Sequence, residues 1–484
     1  MNRSIIFYLI VVILVGISGC AVGPNFQKPE IESPEYFSYD SLRADTVLNL
    51  RWWELFNDDQ LIALIDTTII NNKDIQIAAS RVVEARYVLG YTKANQWPVI
   101  GYSGNAQGTN IDLSGNSGSQ VNSFSALGNV NWEIGFWGKY RRANEASREE
   151  LLATQYAHRA VMISLISEVA STYFLLLDFN SRLEIAKRTL DSRLEGLSIM
   201  QSKFDHGTIP ELELNQAEIQ EAIAASAIPN FQRNIAQTEH ALSVLLGKNP
   251  GSILEINTLV DQKAPPDIPG GIPSDLLERR TDVMETEHLY AAQNARIGVA
   301  QAMRWPSFNL TAGMGVASTD LSTLLSGASL AWSVGGGFVG PIFNFGRNKR
   351  RVQIERQKTE QALLNYENTV LNAFRDVEDA LIEVHTYKYE LNARIRQSNA
   401  AQNANILSQK RYSGGVTSYL EVLDSERTFF NSELATSETY RNRLNSYVKL
   451  YKALGGGWIS TEEEQAAEEE EARLKAEEDA KAKK

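Results

Sequence analysis

Residues that could carry acid–base or metal chemistry are few in this 484-residue sequence, and their spacing builds no site. Glu285 and His288 have the Glu-x-x-His spacing of di-iron helical bundles, but such a site needs a second copy of the motif. Ser80 stands where an internal repeat would place the second histidine. We expect no metal and no cofactor. The histidines are scattered: His158, His206, His240, His288 and His385.

A glycine motif could indicate a second kind of chemistry, the binding of a dinucleotide. Gly335, Gly337 and Gly340 have the required spacing, but Pro341 follows where the motif needs the start of a helix. These glycines fit better as small residues that leave room in a crowded wall of strands. The sequence contains no nucleophile elbow, phosphate-binding loop or zinc-protease motif. We interpret the chain as a conduit and not as an enzyme.

The single cysteine, Cys20, marks a processing site. An apolar run over residues 5–17 precedes it and is shorter than the ~20 residues that cross a bilayer as a helix. Ile17-Ser18-Gly19-Cys20 resembles a bacterial lipobox, and Ala21 after it fits lipoproteins sorted to the outer membrane. The pattern predicts a signal peptide over residues 1–19 and acylation of Cys20. An ordinary signal peptide with an incidental cysteine is the alternative.

Composition and charge exclude several classes of protein. A hydrophobic content of 43% is too high for a disordered chain, and one cysteine cannot form an internal disulfide. The net charge of −12 gives no support to nucleic-acid binding. Residues 461–484 carry ten acids and five bases, and this tail is predicted to bury little and to be dispensable for assembly. After the signal peptide we expect no helical membrane span.

An internal repeat with a constant offset organises the sequence. Landmarks recur 208 residues apart: Trp97-Pro98 and Trp305-Pro306, Trp137-Gly138-Lys139 and Phe345-Gly346-Arg347, Gly207 and Gly415, Leu246-Gly247 and Leu454-Gly455. This separation, the repeat offset, is constant along the sequence and indicates a tandem duplication. We therefore divide the sequence into a signal peptide (1–19), an N-terminal anchor segment (20–57), a first repeat (58–247), a linker (248–273), a second repeat (274–460) and the charged tail (461–484).

Each repeat is predicted to contain the same elements in the same order. They are a helix (about 58–94, or 274–303) that ends at Trp-Pro, two extended segments, a very long helix (about 143–204, or 348–411) and a return helix (about 210–247, or 418–454). A helix of ~60 residues is about 90 Å long, so we expect it to project from a membrane. A heptad series typical of a coiled-coil seam runs along the first long helix: Leu183, Leu190, Leu197 and Phe204.

The extended segments alternate apolar with small polar residues. A period of two over about ten residues is typical of transmembrane β-strands, although the strands of a soluble sandwich alternate in the same way. Four strands cannot close a barrel, and lipid does not tolerate an open sheet edge, so several subunits must contribute strands. The apolar series are Ile100, Tyr102 and Ala106; Phe124, Ala126, Gly128, Val130 and Trp132; Phe308, Leu310, Ala312, Met314 and Val316; Leu330, Trp332, Val334 and Phe338.

The turns between the long helices and the return helices carry similar signals. Gly207 and Gly415 are expected to end the long helices, because glycine adopts the left-handed conformation that follows a helix. Thr208 and Ser418 each precede a glutamate by three residues. This spacing predicts a capping box, in which the hydroxyl of Thr208 or Ser418 caps the return helix.

A set of motifs across residues 20–458 is specific in combination. It comprises the lipoprotein signal, Val22-Gly23-Pro24-Asn25-Phe26-Gln27-Lys28-Pro29, Trp52-Trp53, Arg279-Arg280-Thr281-Asp282-Val283, Ala295-Arg296-Ile297-Gly298-Val299-Ala300, Gly340-Pro341-Ile342-Phe343-Asn344-Phe345-Gly346 and Tyr419-Leu420-Glu421-Val422-Leu423-Asp424. Together these motifs resemble the TolC family of outer-membrane efflux proteins, and most closely its OprM-like lipoprotein branch. Thr281 departs from the family, which usually has proline there, and the tail after Ser460 has no counterpart.

The resemblance implies a mixed α and β fold. Three identical subunits would each give four strands to a twelve-stranded barrel and two coiled-coil hairpins to a periplasmic helical barrel. It further implies an outer-membrane exit duct that passively conducts drugs, metals or metabolites. These would come from an inner-membrane pump, often of the resistance-nodulation-division class, through a periplasmic adaptor. The alternatives are the exit duct of a type I protein-secretion system and a periplasmic coiled-coil scaffold lipoprotein.

Two sets of site residues follow at the hairpin ends. Leu420, Asp424 and Arg427 lie on one helical stripe, and in the family the matching stripe faces the axis, which implies a periplasmic gate with an apolar constriction and a carboxylate ring. The alternative is an ordinary exposed pair between Asp424 and Arg427. The adaptor is expected to dock on small residues at the two tips: Gly207, Thr208, Pro210, Gly414, Gly415, Thr417 and Ser418.

Overall fold

The computed structural model describes residues 21–31, 33–34, 36–38, 51–111, 119–253, 258–265, 276–326 and 329–456. The predicted signal peptide, Cys20, the charged tail and parts of the linker lie outside these residues. The chain forms two compact units. The first contains Met1–Ile31, Ser80–Tyr156 and Glu285–Asn368, and the second contains Glu32–Ala79, Ala157–Met284 and Thr369–Lys484.

The helices and strands follow the order that the sequence predicts. They are α1 (Asp59–Asn71), α2 (Lys73–Ala94), β1 (Val99–Ile111), β2 (Ser119–Ile134), α3 (Lys139–Asp205), α4 (Glu211–Leu245), α5 (Leu276–Arg279), α6 (Thr281–Ala302), β3 (Ser307–Ser318), β4 (Leu330–Val339), α7 (Arg347–Ser413) and α8 (Tyr419–Ala453). A 3-10 helix over Trp52–Phe56 precedes them.

Three helices of the second half begin and end at the repeat offset from their counterparts in the first. The long helices α3 and α7 have 67 residues each, and the return helices α4 and α8 have 35 residues each. The helices α2 and α6 have 22 residues each. Both long helices begin slightly before the predicted bounds.

The predicted helix over residues 58–94 is two helices, α1 and α2, separated by Asn72. The backbone of Asn72 is extended, with ψ of 134°. Its side-chain oxygen accepts hydrogen bonds from the amides of Asp74 (2.8 Å) and Ile75 (3.2 Å), so Asn72 caps α2. The helix predicted from residue 274 is divided in the same way, with α5 and α6 meeting at Arg280.

The core of the second unit accounts for the most apolar part of α3. By length and composition alone α3 is apolar enough to cross a membrane, because one 18-residue window in it has a mean hydropathy of 1.8. Many apolar side chains of α3 are buried in the core of the second unit, so core packing explains this composition. The core includes Ile166, Val169, Ala170, Tyr173, Phe174 and Leu177 of α3 together with Trp52, Phe56, Leu61, Ile65 and Leu242.

The coiled-coil seam of α3 is wider than predicted. In the predicted heptad series Leu183 is buried and Leu190 and Leu197 are half-buried, but Phe204 is exposed. A second series three residues later is buried throughout: Ala186, Arg193 and Met200. The two series correspond to the a and d positions of one heptad repeat, so the prediction found half of the seam.

The four strands form one antiparallel sheet in the order β1-β2-β3-β4. Each strand therefore pairs with the next strand in the sequence. Among the described residues, β1 and β4 each have a partner on one side only. The sheet belongs to the first unit and ends in two open edges.

Candidate channel wall and gate

The register of the sheet brings the predicted apolar series of all four strands to one face. Ile100 pairs with Val130, Val130 with Ala312, and Ala312 with Val334. Directly opposite residues share a face of a sheet. Large side chains on this face are exposed in the single chain, including Tyr102, Met314, Leu330, Trp332, Val334 and Phe338.

The opposite face of the sheet carries small and polar residues. Asn129 pairs with Gly313, which pairs with Ser333. At Gly315 a Cβ atom would lie 2.1 Å from the carbonyl oxygen of Ala126, so this position excludes any larger residue. One apolar face and one small polar face are what a barrel wall needs between lipid and water.

The two hairpin tips have the same turn. The amide of Gly207 donates to the carbonyl three residues earlier (2.7 Å), and the amide of Thr208 donates to the carbonyl five residues earlier (2.9 Å). Gly415 and Val416 make the same two bonds at 3.0 and 2.9 Å. These bonds define a Schellman motif, in which Gly207 (φ 65°) and Gly415 (φ 69°) adopt the left-handed conformation. The structure thus gives both glycines the helix-ending role that the sequence predicts.

The predicted capping boxes are wrong. The hydroxyl of Thr208 donates to the carbonyl of Lys203, 2.8 Å away, because the Schellman turn directs it back to the end of α3. Pro210 occupies the N-cap position of α4 and has no side-chain acceptor. Ser418 is the N-cap of α8 but makes no side-chain capping bond. The neighbouring Thr417 hydroxyl bonds to the carboxylate four residues later.

The two hairpins contact each other beside these tips. Tyr412 of α7 donates a hydrogen bond to the carboxylate of Glu213 in α4, 2.9 Å away. The ammonium of Lys203 lies 4.5 Å from the centre of the Tyr412 ring. Burial and the bond to Glu213 raise the pKa of Tyr412 to about 12. The apolar part of the contact comprises Met200, Leu214 and Ala217 with Tyr419, Val422 and Leu423.

A buried arginine lies further along the same seam. Arg193 donates to the carbonyl of Gln220 at 2.5 Å, and its guanidinium lies 5.2 Å from the ring centre of Phe430. Burial lowers the pKa of Arg193 and raises that of Glu426, which accepts a hydrogen bond from Gln409 at 3.1 Å. Sequence reasoning missed this cluster. The signal that could have found it is the heptad spacing of Arg193, which lies seven residues after Ala186 and seven residues before Met200.

The predicted gate residues lie on an exposed stripe of α8. Leu420 is 65% exposed. Arg427 donates to the carboxylate of Asp424 at 2.7 Å, and both side chains are about two-thirds exposed. Leu212 and Ile219, the repeat equivalents of Leu420 and Arg427, are also exposed. Within one chain, Asp424 and Arg427 form the ordinary i, i+3 pair.

The histidine of the Glu-x-x-His motif packs against two side chains of α3. His288 lies 2.7 Å from a carboxylate oxygen of Glu149 and stacks on Tyr156, with ring centres 5.3 Å apart. The described part of the chain contains no group of three residues that could hold a metal ion.

Comparison with known proteins identifies relatives along nearly the whole chain. The outer membrane efflux protein family matches residues 64–248 and again residues 272–456. The chain is 34% identical over 451 residues to the cation efflux system protein CusC of Escherichia coli O6:H1, and the match covers 92% of this chain and 97% of CusC. It is 35% identical over 458 residues to the solvent efflux pump outer membrane protein SrpC of Pseudomonas putida, with the same two shares covered.

Solved structures agree with this relationship. A crystal structure of CusC matches with a TM-score of 0.82 and 33% identity, covering 90% of this chain and 100% of that chain. The outer membrane channel CmeC of Campylobacter jejuni matches with a TM-score of 0.84 and 27% identity, covering 93% and 98%.

The chain belongs to the outer membrane efflux protein family. Its fold is the mixed α and β channel fold of that family, with long helices and a small antiparallel sheet. Its function is that of the outer-membrane channel of a tripartite efflux pump. The predicted family and the main functional interpretation are confirmed.

Proposed function

We propose that three copies of this chain form one closed duct. Each copy contributes β1–β4 to a twelve-stranded barrel and two hairpins to a helical tunnel. The observation that carries this proposal is the sheet, which has an apolar face, a small polar face and two open edges among the described residues. Unpaired backbone groups at an open edge cost several kcal/mol each in lipid, and pairing β4 of one copy with β1 of the next removes them.

A tandem duplication accounts for the internal regularity of the chain. The second match to the family begins and ends at the repeat offset from the first, and so do the second long helix and the second return helix. A duplicated subunit gives a trimer six similar hairpins, which suits a continuous tunnel. The chain then acts as a conduit without catalysis.

The duct receives its substrates from an inner-membrane pump of the resistance-nodulation-division class through a periplasmic adaptor. Relatives of similar identity are named for cations, solvents and toluene. These names favour no single substrate class for this chain. Selection by the pump explains how one duct design serves such different molecules.

The gate and the docking surface lie at the hairpin ends. Leu420, Asp424 and Arg427 form the periplasmic gate, because three exposed copies of this stripe around an axis would give an apolar constriction and a ring of charge. The adaptor docks on the tips. A Cβ atom added at Gly207 or Gly415 would meet nothing within 4 Å in the chain, so both turns present open surface. The other docking residues are Thr208, Pro210, Gly414, Thr417 and Ser418.

Acyl chains on Cys20 supply a secondary anchor in the outer membrane. The segment that follows Cys20 is held by Arg142, which donates to the carbonyl of Gly23 (3.2 Å) and to the side-chain oxygen of Asn25 (2.7 Å). At Gly138, four residues after β2, a Cβ atom would lie 2.8 Å from the Cα of Ala21. Ala21, the residue that follows Cys20, therefore lies close to Gly138, just beyond the end of β2. Metabolic labelling with palmitate, and its loss in Cys20→Ser, tests the acyl anchor.

The two alternative functions, a periplasmic scaffold and a type I secretion duct, differ in whether they need the sheet. A periplasmic scaffold needs no sheet with an exposed apolar face, so this face argues against it. A type I secretion duct would share the barrel and differ in its pump. The pump and adaptor that co-purify with the chain distinguish this second alternative from drug or metal efflux.

Outer-membrane fractionation combined with unheated gels tests the proposed assembly. We expect the protein in the outer membrane as a species of three times the subunit mass that converts to monomer on boiling. Truncation after Ser460 should leave this species intact. A soluble periplasmic monomer would contradict the duct, and loss of the trimer on truncation would contradict only the dispensable tail.

A further inference from the structure

Helix α2 exposes an aromatic face in the first unit. Tyr87 and Tyr91 are 75% and 74% exposed, and Val83 and Val88 are also exposed. Together with Ser80 and Glu84 these side chains line an open groove of about 460 Å³. Exposed apolar groups of this size typically mark a contact surface.

The equivalent face of α6 is buried. Ala291 and Ala295, the repeat equivalents of Val83 and Tyr87, are 5% and 0% exposed. Two side chains of α3 cover this face at His288, where Glu149 accepts at 2.7 Å and Tyr156 stacks.

Further contacts place α6 between two long helices. Arg296 pairs with Glu150 of α3. On its other side α6 contacts α7, where Thr359 donates to the carbonyl of Gln293 at 3.3 Å and Gln293 donates to the carboxylate of Glu355 at 2.7 Å.

Helix α2 repeats one of these two contacts within the chain. Thr92 lies 3.2 Å from Ser147 of α3, measured between the hydroxyl oxygens. These residues correspond to Ala300 of α6 and Glu355 of α7 at the repeat offset, so α2 on α3 matches α6 on α7. The contact that matches α6 on α3 has no counterpart among the described residues of α2.

The repeat specifies what should fill this position. Four α3 side chains contact α6: Arg142, Glu149, Glu150 and Tyr156. Shifted by the repeat offset, they become four residues of α7, all exposed in the single chain: Arg350, Gln357, Lys358 and Leu364. Shifted in the opposite direction, His288 and Arg296 become Ser80 and Val88, which line the groove on α2.

We propose that the α2 groove of one subunit binds residues 350–364 of α7 from the neighbouring subunit. This inference rests on the proposed trimer and adds the surfaces that join its subunits. Tyr87 and Tyr91 would become buried aromatic anchors, a residue type that concentrates binding energy at interfaces. Glu84 would lie near Lys358 of the neighbouring copy, which supplies a charge of opposite sign. Gly90, where a Cβ atom meets nothing within 4 Å in the chain, would correspond to Gly298, which contacts Arg142 closely.

Cross-linking between two introduced cysteines tests the pairing. Ser80→Cys with Gln357→Cys should give covalent dimers and trimers with a short bismaleimide in outer-membrane vesicles, because the equivalent side chains, His288 and Glu149, are in direct contact. Either single-cysteine variant should give no covalent dimers or trimers. Arg86→Cys with Gln357→Cys is the matched control, since Arg86 lies on the opposite side of α2 and should not cross-link.

Unboiled samples on the same gels separate two kinds of failure. A trimer that forms without cross-linking in Ser80→Cys with Gln357→Cys would overturn the groove assignment and leave the trimer standing. A monomer in the unmodified protein would overturn both. In a second measurement, Tyr87→Ala with Tyr91→Ala should lower the dissociation temperature of the trimer by ~5 °C or more, whereas Arg86→Ala should not. Equal dissociation temperatures for Tyr87→Ala with Tyr91→Ala and for Arg86→Ala would also overturn the groove assignment.

Discussion

Tyr412 and Glu213 join the two hairpins of the subunit through one hydrogen bond of 2.9 Å. Tyr412 lies in the last turn of α7, and Glu213 lies in the first turn of α4. The bond links the α7–α8 hairpin, which carries the predicted gate stripe, to the α3–α4 hairpin of the same subunit. A charged acceptor makes such a bond stronger than one between neutral groups.

Removal of the Tyr412 hydroxyl should loosen the closed end of the duct. Tyr412→Phe keeps the ring beside Lys203 and removes the hydroxyl, which donates to Glu213 and lies 3.7 Å from the sulfur of Met200, at a cost of about 1–2 kcal/mol to the closed arrangement. We expect a larger conductance of the closed state in planar bilayers. Tyr389→Phe, on the same helix with its side chain 62% exposed, is the control and should behave as the wild type. Equal conductance for both variants would show that this bond does not hold the gate.

The same bond predicts an alkaline transition. Burial and Glu213 raise the pKa of Tyr412 from 10.0 to about 12, so the folded protein favours the protonated donor. The stabilisation is complete below about pH 10 and is lost as the pH rises through about 12. Difference titration of tyrosinate absorbance between wild type and Tyr412→Phe should show one phenol that ionises near pH 12. Ionisation of that phenol near pH 10 would contradict the assigned environment.

A substitution at Gly415 separates turn geometry from docking. Asparagine tolerates the left-handed conformation, and added atoms meet nothing in the chain, so Gly415→Asn should fold and assemble. The new side chain would occupy the adaptor surface, so we expect loss of efflux, measured as increased drug or metal susceptibility. Gly196→Asn, also without neighbours within 4 Å, should retain efflux. Normal efflux in Gly415→Asn would remove this tip from the docking surface.

Among the charged residues of the seam, Arg193 should be the one whose substitution lowers the stability of the fold most. Arg193→Ala removes a hydrogen bond to Gln220 and the contact with Phe430 from a site where the arginine is 5% exposed. We expect a loss of about 2 kcal/mol of stability, measured by chemical unfolding. Lys187→Ala, which removes a surface pair with Glu184, should change stability by less than about 0.5 kcal/mol. Similar losses for the two variants would contradict a structural role for burial of Arg193.

Local periodicity made much of the fold predictable. The alternation of Val130 and Trp132 with polar residues has a period of two, which only a strand satisfies, and the register then aligned all four apolar series. The first long helix was predictable from its heptad series, which is a helical period. The break at Asn72 was missed because a capping asparagine inside a helical pattern leaves the apolar periodicity intact.

Contacts between distant segments could not be read from the sequence. Tyr412 and Glu213 are 199 residues apart, and only the packing of the two hairpins brings them together. The capping boxes failed for a local reason: the hydroxyl of Thr208 had a nearer acceptor at Lys203. Leu420, Asp424 and Arg427 are exposed on α8. Their role as a gate stays a prediction, because it depends on copies of the chain beyond one subunit.

Single-channel recording of the purified protein tests the central claim most directly, since a gated duct must conduct ions. We expect the wild type to insert as a trimer with a small, stable conductance. Asp424→Ala with Arg427→Ala removes the exposed pair and should increase that conductance or change its sensitivity to divalent cations. Lys187→Ala should leave both unchanged. Membranes that stay silent with the trimer would contradict a duct, and identical conductance in all three proteins would contradict a gate at Asp424 and Arg427.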